Sequence, residues 1–359
     1  MTASAFPADR RRRRAVLAAL AASVPAALLA ATIAGSVSVP PADVLHVLTG
    51  GAASDPRWQV VIETVRLPRA VTAALAGAAL ATAGVQMQAL FRNVLADPYV
   101  LGVSSGASLG VALLMLASGG AGGAFAAGLA SFVDLVGLGR LGMVLAAALG
   151  AAAVLAFILV LARWVRSAVT LLLIGVMVGY LTTALVSVLL ATADPRWAQQ
   201  YIAWGLGSFG ATPWPDLAVL APVVGAGLAI ALLSAKHLNA LLLGEDYART
   251  MGIRVRRVRL GTMLAASLLA GSVTAFCGPI GFLGLAVPHL ARSALGTSDH
   301  RVLLPAAVLL GAAVALGCGA VAEVRALPLN AVTALLGAPV VVAVLVRGSR
   351  AGGAGGALR

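Results

Sequence analysis

Residues Lys236–Arg259 read KHLNALLLGEDYARTMGIRVRRVR, a charged island between two long apolar runs, Leu217–Ala235 and Leu260–Phe276, that carry no charge. Within the island, Glu245–Met251 predicts a short helix, because its two leading acids lie where the helix dipole favours negative charge. Gly252 predicts a left-handed end to that helix. Such a structured, mixed-charge segment suits a platform that receives a mechanical push from a soluble partner. The alternative is a plain basic loop held at the lipid headgroups by its four last arginines.

Composition places the chain in a membrane. Of its 359 residues, 61% are hydrophobic and 10% are charged, and the mean hydropathy is +1.01, values typical of membrane spans. The net charge of +13 does not indicate nucleic acid, because the basic residues cluster between apolar runs rather than on one face. Lys236 is the only lysine and precedes His237, so the chain carries no Walker-type ATP site. Cys277 and Cys318 lie in or beside apolar runs and indicate packing rather than a disulfide.

The apolar runs predict an all-α, polytopic membrane protein with about ten transmembrane helices of about 20 residues each. Residues 1–14 form a basic tail, 15–347 a single transmembrane domain and 348–359 a second tail; a cleaved signal peptide at the start is the less favoured alternative. Ser36–Val65 is polar enough to lie outside the membrane, and Asp194–Pro215 is predicted as a loop whose aromatic residues suit a membrane interface. The glycine-rich Gly119–Arg140 is not assigned, and an extra helix within 119–139 stays open. The ten spans are Ala15–Gly35, Leu67–Phe91, Tyr99–Ala117, Leu141–Ala162, Ala168–Ala191, Asp216–Ala235, Leu260–Phe276, Pro279–Leu295, Val302–Ala322 and Pro328–Val346.

Arginine distribution predicts the orientation. If both termini face the cytoplasm, 19 of the 25 basic residues fall on the inner side of the membrane and 6 on the outer side. This is a strong positive-inside bias. It places both termini and the Lys236–Arg259 island in the cytoplasm.

Small residues recur every four positions in the second and third spans, which lets helix backbones approach closely, most simply within one subunit. They are Ala73, Gly77 and Ala81, and Gly102, Gly106 and Gly110. Polar residues within spans either bond neighbouring helices or face a pathway; they are Gln86, Gln88, Thr182, Thr183, Ser187, Asn330 and Thr333.

Titratable groups inside the spans are scarce. No Asp, Glu, Lys or Arg lies near the middle of a predicted span, and ion-coupled transporters usually keep one there. The energy for transport is therefore expected to come from elsewhere. His289 suits a packing hydrogen bond better than a metal or proton site, and no cluster has metal-ligand spacing. Two Gly-x-Ser-x-Gly matches, at Gly102–Gly106 and Gly106–Gly110, lie in an apolar helix and do not indicate a hydrolase.

Several long blocks, in order, carry a family resemblance. The blocks are RLPRAVTAALAGAALATAGVQMQALFRNVLADPYVLGVSSGASLG (Arg66–Gly110), LGEDYARTMG (Leu243–Gly252), CGPIGFLGLAVPHLAR (Cys277–Arg292), DHRVLLP (Asp299–Pro305) and VTALLGAP (Val332–Pro339). Through them the chain resembles the permease subunit of the iron-siderophore, haem and cobalamin (FecCD-type) ABC importers, the class that contains the vitamin B12 importer.

The resemblance implies a type II ABC importer permease fold and several partners. These are a second permease subunit, identical or paralogous, an ATP-binding subunit dimer, an extracytoplasmic substrate-binding lipoprotein and membrane lipid, with no cofactor. It implies cytoplasmic coupling helices at 238–252, with Leu243, Gly244, Glu245, Ala248, Arg249 and Gly252 against the ATP-binding subunit. It implies a gate at Ser167, Ala168, Val169 and Thr170, and an axial pathway with Thr182, Thr183, Ser187, Asn330 and Thr333.

The outer face departs from the family pattern. The resemblance implies binding-protein docking through Arg66 and Arg69, but the segment Gly317–Asn330 is shorter than expected and places Glu323 near the position of a third family arginine. Arg325 is the candidate replacement. The resulting expectation is an ATP-driven importer of an iron-siderophore, haem or corrinoid in a bacterial cytoplasmic membrane, itself without enzymatic activity. The alternatives are a secondary transporter or channel without an ATPase partner, and a membrane-bound enzyme or receptor.

Overall fold

The computed structural model describes residues 7–118, 139–165 and 167–353. Within these ranges the chain is helical and contains no strand. Residues 119–138, where a further helix was left open, lie outside the described residues. The helices are α1 (Pro7–Ile33), α2 (Pro41–Leu48), α3 (Pro56–Val60), α4 (Leu67–Phe91), α5 (Val103–Ser118), α6 (Gly139–Leu161), α7 (Ala168–Thr192), α8 (Pro195–Gly205), α9 (Trp214–Leu233), α10 (Ala235–Leu242), α11 (Glu245–Thr250), α12 (Val255–Cys277), α13 (Leu283–Leu295), α14 (His300–Val324) and α15 (Leu329–Gly353).

Each of the ten predicted spans coincides with one helix, but not all have spanning length. Among the described residues, seven helices are long and apolar enough to cross a membrane, while α5 and the apolar part of α15 are shorter. Helix α13 has 13 residues and is about 20 Å long, against a hydrocarbon core of about 30 Å. The prediction that this span begins at Pro279 is wrong, because Phe282 adopts a left-handed conformation (φ 68°) immediately before the helix.

One segment predicted as a loop, and one predicted to lie outside the membrane, contain helices. Asp194–Pro215 includes α8, whose first backbone amides are capped by the Asp194 carboxylate accepting from Arg196 N at 2.8 Å. An Asp-Pro pair is a helix-start signal that the aromatic content of this segment obscured. Ser36–Val65 includes α2 and α3, and α3 continues through a π-helical segment, Val61–Arg66, into α4.

Helix α4 is the centre of the bundle. It packs against α9, α12, α13 and α14, and 83% of the residues in its most apolar stretch are buried. In the most apolar stretches of α6 and α7, only 22% of the residues are buried, so these two helices lie at the periphery of the bundle. The bundle therefore consists of a dense body around α4 and a more loosely enclosed group formed by α5, α6 and α7.

Glycines allow the dense body to form. Gly77 of α4 lies against Gly311 of α14, and a Cβ at either position would collide with the carbonyl oxygen of the other. Gly84 makes the same kind of backbone contact with Gly284, and Gly106 makes it with Gly150. The prediction that the small-residue stripes pack helices within one subunit is confirmed at these positions.

This packing predicts opposite effects for two glycines on α14. Gly311→Ala places a methyl group against the Gly77 carbonyl and should destabilise the protein by about 1–3 kcal/mol through overpacking. Gly317→Ala meets nothing within 4 Å and should be neutral or stabilising by up to about 1 kcal/mol, because alanine favours the helix. Thermal unfolding of both variants in the same detergent checks this. Equal unfolding temperatures for the two variants would contradict the proposed contact.

Candidate functional site

Residues 235–254, here called the platform, form a small folded unit of their own. Helices α10 and α11 and the start of α12 enclose a separate apolar cluster formed by Ala240, Leu241, Ala248 and Val255. Gly244 (φ 123°) and Gly252 (φ 78°) make the turns on either side of α11, which confirms the predicted left-handed end at Gly252. Helix α11 ends at Thr250, one residue before the prediction. A structured platform, not a plain basic loop, therefore lies between α9 and α12.

Polar contacts fasten the platform to the dense body. The Arg92 guanidinium, at the end of α4, donates to the Leu241 carbonyl at 2.8 Å. Asn239 donates to the Asp299 carboxylate at 2.6 Å and accepts from the backbone N–H of His300 at 2.8 Å, at the start of α14. These hydrogen bonds link the platform to the ends of α4 and α14.

The outer surface of the platform is partly apolar. Leu243, Tyr247 and Met251 are 65%, 53% and 57% exposed, whereas Ala248 is fully buried in the platform's own cluster. Arg249 is exposed and pairs with Asp246 at 2.8 Å. Of the coupling residues expected from the resemblance, Leu243 and Arg249 lie on the surface, Gly244 and Gly252 shape the turns, and Glu245 begins α11. Tyr247 and Met251 were missed, because periodicity carries little information in so short a helix.

The turn between α4 and α5 lies beside the platform. His289 of α13 places its Nε2 2.9 Å from the Val94 carbonyl in this turn, which is the packing hydrogen bond expected for that histidine. Asp97 accepts from Tyr99 N at 2.8 Å and caps the short helical turn Pro98–Leu101. Burial raises the pKa of the Asp97 carboxyl to about 6, against the opposing effect of the Tyr99 hydrogen bond.

A cavity of about 520 Å³ lies between α5 and α7 and is lined by hydroxyl groups. The Thr183 hydroxyl donates to the Gly179 carbonyl at 2.8 Å, and the Ser187 hydroxyl donates to the Thr183 carbonyl at 2.9 Å. Because their protons are engaged by the backbone, these oxygens can act as hydrogen-bond acceptors. None of the described residues around this cavity is charged. Its other polar lining residues are Ser104, Ser105, Ser108, Tyr99, Tyr180 and Tyr201.

The expected pathway residues separate into two groups. Thr183 and Ser187 line the cavity, while Thr182 is buried and its hydroxyl contacts the Val178 and Gly179 carbonyls. The serines of α5 were not assigned to a pathway, although they recur within the small-residue stripe that the sequence analysis singled out.

The side chain of Asn330 forms a structural junction. Its amide nitrogen donates to the Gly205 carbonyl at 3.0 Å and to the Pro279 carbonyl at 2.7 Å, and its oxygen accepts from Gly281 N at 3.0 Å. Thr333 is buried and donates to the Asn330 carbonyl at 3.2 Å. These contacts join α8, the segment before α13 and α15, so both side chains stabilise the irregular backbone there.

The expected gate coincides with the start of α7. Ser167 is the N-cap residue, and its hydroxyl accepts from Thr170 N at 3.3 Å. Val169 is 63% exposed, and Thr170 is exposed as well. Ala168 begins the helix. The first turn of α7 therefore presents an apolar and a polar side chain away from the rest of the chain.

At the opposite end of the bundle, two arginines join helices. Arg66 is 2% exposed, and its guanidinium donates to the carbonyls of Thr32 and Ile33 at 3.0 and 2.7 Å and to that of Val37. Arg69 pairs with Glu323 at 2.6 Å. Of the three expected docking arginines, only Arg325 has an exposed side chain. The docking role stays a prediction, and Arg66 and Arg69 hold α4 against the ends of α1 and α14.

The Arg69–Glu323 pair predicts a measurable coupling energy. A double-mutant cycle with Arg69→Gln and Glu323→Gln should give about 1–2 kcal/mol, because the two side chains are only 11% and 33% exposed. The matched control is the Arg57–Asp55 pair, which is 3.9 Å apart and far more exposed, and should give less than about 0.5 kcal/mol. Denaturant unfolding of the variants measures both. Indistinguishable coupling energies would show that Arg69–Glu323 is not a structural tie.

The chain is similar to known permeases over most of its length. The model of the FecCD transport family matches residues 23–347. The hemin transport system permease HmuU of Yersinia pestis is 36% identical over 299 residues, which cover 82% of this chain and 85% of that protein. The vitamin B12 import system permease BtuC of Vibrio cholerae is 38% identical over 296 residues, which cover 80% and 83%.

A solved structure shows the same fold. It is described as an inward-facing conformation of a metal-chelate type ABC transporter, and it matches this chain with a TM-score of 0.79 at 28% sequence identity. The match covers 93% of this chain and 99% of that chain. The chain has the type II importer permease fold, with several apolar helices of spanning length. It therefore belongs to the FecCD transport family and is a multi-pass inner-membrane permease of an ABC importer.

Proposed function

We propose that the chain moves a metal chelate inward across the cytoplasmic membrane by ATP-driven alternating access, the chelate being an iron-siderophore, haem or cobalamin. The observation that carries this proposal is the platform, a folded unit with an exposed apolar surface and polar ties to two central helices. The chelate class is supported by the hemin and vitamin B12 relatives and by the metal-chelate type structural neighbour.

The coupling step follows from the geometry of the platform. An ATP-binding subunit dimer would dock on Leu243, Tyr247 and Met251, with Glu245 and Arg249 nearby and Ala248 inside the unit. Its movement would pass through Arg92 and Asn239 to α4 and α14, which are fixed to each other by close packing. The ATPase activity belongs to that separate subunit in this proposal.

The pathway is proposed to follow α7. Only 22% of the residues in the most apolar stretch of α7 are buried, which leaves exposed side chains for a second permease subunit across an axial pathway. Ser167–Thr170 would form the inner gate, and Thr183 and Ser187 would line the route together with the serines of α5. This lining is neutral and rich in acceptors, so it would bind cargo weakly and leave recognition to an extracytoplasmic binding lipoprotein.

Orientation completes the proposal. The arginine distribution supports a cytoplasmic location for both termini and for the platform. The end that carries the Arg69–Glu323 pair then faces outward, where Arg325 is the exposed charge for the binding lipoprotein. Surface charge of this kind would mainly steer the encounter between the two proteins.

Reconstitution tests the function directly. The chain should be placed in proteoliposomes with and without its ATP-binding subunit and supplied with loaded binding lipoprotein. Haem, a ferric siderophore and cobalamin are offered in turn. Uptake of one of them that requires both ATP and the ATP-binding subunit is the expected result. Uphill uptake by the chain alone would instead establish a secondary transporter, and downhill flux without ATP would establish a channel.

A leucine on the platform provides a sharper test of coupling. Leu243→Asp should lower ATP-dependent uptake by about tenfold or more, because it buries a carboxylate in an apolar interface. The matched control is Leu45→Asp on α2, an exposed leucine at the other end of the bundle, which should retain uptake. Uptake and ATPase rate are measured in the same vesicles. Normal uptake by Leu243→Asp would contradict the proposed docking surface.

A further inference from the structure

A strongly basic cavity lies at the junction of α6 and α12. Its volume is about 650 Å³. Among the described residues, its lining contains no carboxylate, and its apolar part consists of Ala162, Val165, Ile253 and Val255. Arg249 pairs with Asp246, which lies outside the lining. Arg163, Arg254 and Arg256 alone give the cavity an excess of positive charge. The arginines that line it are Arg163, Arg249, Arg254, Arg256 and Arg259.

The deepest of these arginines lies near the start of α12. Arg259 is 8% exposed, whereas Arg163, Arg254 and Arg256 are exposed. No side chain caps the N-terminus of α12, so the helix dipole adds partial positive charge to the same place. Guanidinium groups favour phosphate because they can donate two parallel hydrogen bonds to its oxygens. The cavity therefore suits a phosphate-bearing ligand.

A separate apolar groove lies further along the same two helices. It has a volume of about 510 Å³ and is lined by residues of α6, α9 and α12. Leu145, Leu264 and Leu268 are 45%, 49% and 39% exposed in it. On α12 the groove runs from Gly261 to Phe276, about 22 Å at helical rise, compared with about 15 Å for one leaflet of the hydrocarbon core.

The two features lie in sequence along the same two helices. Gly261, at one end of the groove, comes two residues after Arg259 of the cavity. Trp164, beside Arg163, is 73% exposed, and tryptophan is enriched at the headgroup level of membranes. A phosphate site near the end of an apolar groove of this length has the dimensions of a phospholipid, with the headgroup at the ends of the spans and an acyl chain between them.

We infer that this cavity and groove bind an anionic phospholipid, with its phosphate among the arginines and an acyl chain along α6 and α12. An acidic surface of a soluble partner would account for the arginines but would not enter an apolar groove at membrane depth. The lipid would also contact Arg249 and Arg254 of the platform. It would thereby connect α6, which lies outside the dense body, to the unit proposed to receive the ATP-binding subunit.

The binding test uses the purified full-length chain in a non-ionic detergent. Phosphatidylglycerol should raise its thermal unfolding temperature in a concentration-dependent way, and phosphatidylcholine with the same acyl chains should not. The double variant Arg163→Gln/Arg256→Gln should bind phosphatidylglycerol about 30-fold more weakly, at about fivefold per arginine. The control Arg57→Gln/Arg196→Gln, which removes two arginines elsewhere, should behave as wild type. Equal shifts with the two lipids would overturn the inference.

A second pair of variants tests the groove. Ala148→Trp fills it and should weaken phosphatidylglycerol binding, whereas Ala153→Trp, on the same helix but outside the groove lining, should not. Soluble glycerol phosphate should give a much smaller shift than the lipid. If glycerol phosphate reproduces the full shift, the site binds phosphate alone. If the arginine variants keep the wild-type lipid shift, the arginines serve another purpose, such as contact with a second copy of the chain or with an acidic partner. Either of these two results, the full shift with glycerol phosphate or the unchanged shift of the arginine variants, overturns the inference.

Discussion

Backbone-to-backbone packing of α4 is the constraint on which the rest of the structure depends. Lipid offers helices no hydrophobic gain from associating, so they must gain contact by approaching closely, and small residues permit this. Gly77 and Gly84 bring α4 against Gly311 of α14 and Gly284 of α13 with no side chain between them. These contacts leave no side chain between the helices that could repack, so we expect the body to behave as a rigid unit.

The functional parts are attached to this body in different ways. The platform is fixed to it by Arg92 at the end of α4 and by Asn239 at the start of α14. Helix α7 instead packs mainly on α5 and leaves most of its surface uncovered. In the proposed mechanism, a push on the platform would displace the dense body relative to α7. The side-chain hydrogen bonds that fix the platform lie at helix ends, where backbone carbonyls are available as acceptors.

The sequence predicted the long elements well and the irregular ones poorly. The span Leu67–Phe91 has the same bounds in the structure, because arginines mark both ends of its apolar run. Helix α8 was missed because its aromatic residues suggested an interfacial loop, and α13 was placed too early because a left-handed Phe282 leaves no sequence signal. Such features arise from tertiary contacts that periodicity does not encode.

The candidate site shows the same division. The existence and position of the platform followed from its charge pattern and glycines, but its exposed Tyr247 and Met251 did not. Asn330 was assigned to a pathway from its polarity and from the family resemblance, whereas its three side-chain hydrogen bonds go to backbone groups of Gly205, Pro279 and Gly281. Glu323 was recognised as a departure from the family pattern, but its pairing with Arg69 depends on distances that only the fold determines.

The most direct test of the central claim is the side of the membrane on which the platform lies. Met251 is 57% exposed, so Met251→Cys supplies an accessible thiol, whereas the native Cys277 and Cys318 are buried and should label poorly. The account predicts that a membrane-impermeant maleimide labels this cysteine only after spheroplasts are opened, whereas Leu45→Cys on α2 is labelled while they are intact. Labelling of Met251→Cys in intact spheroplasts would place the platform outside the cell and contradict the account.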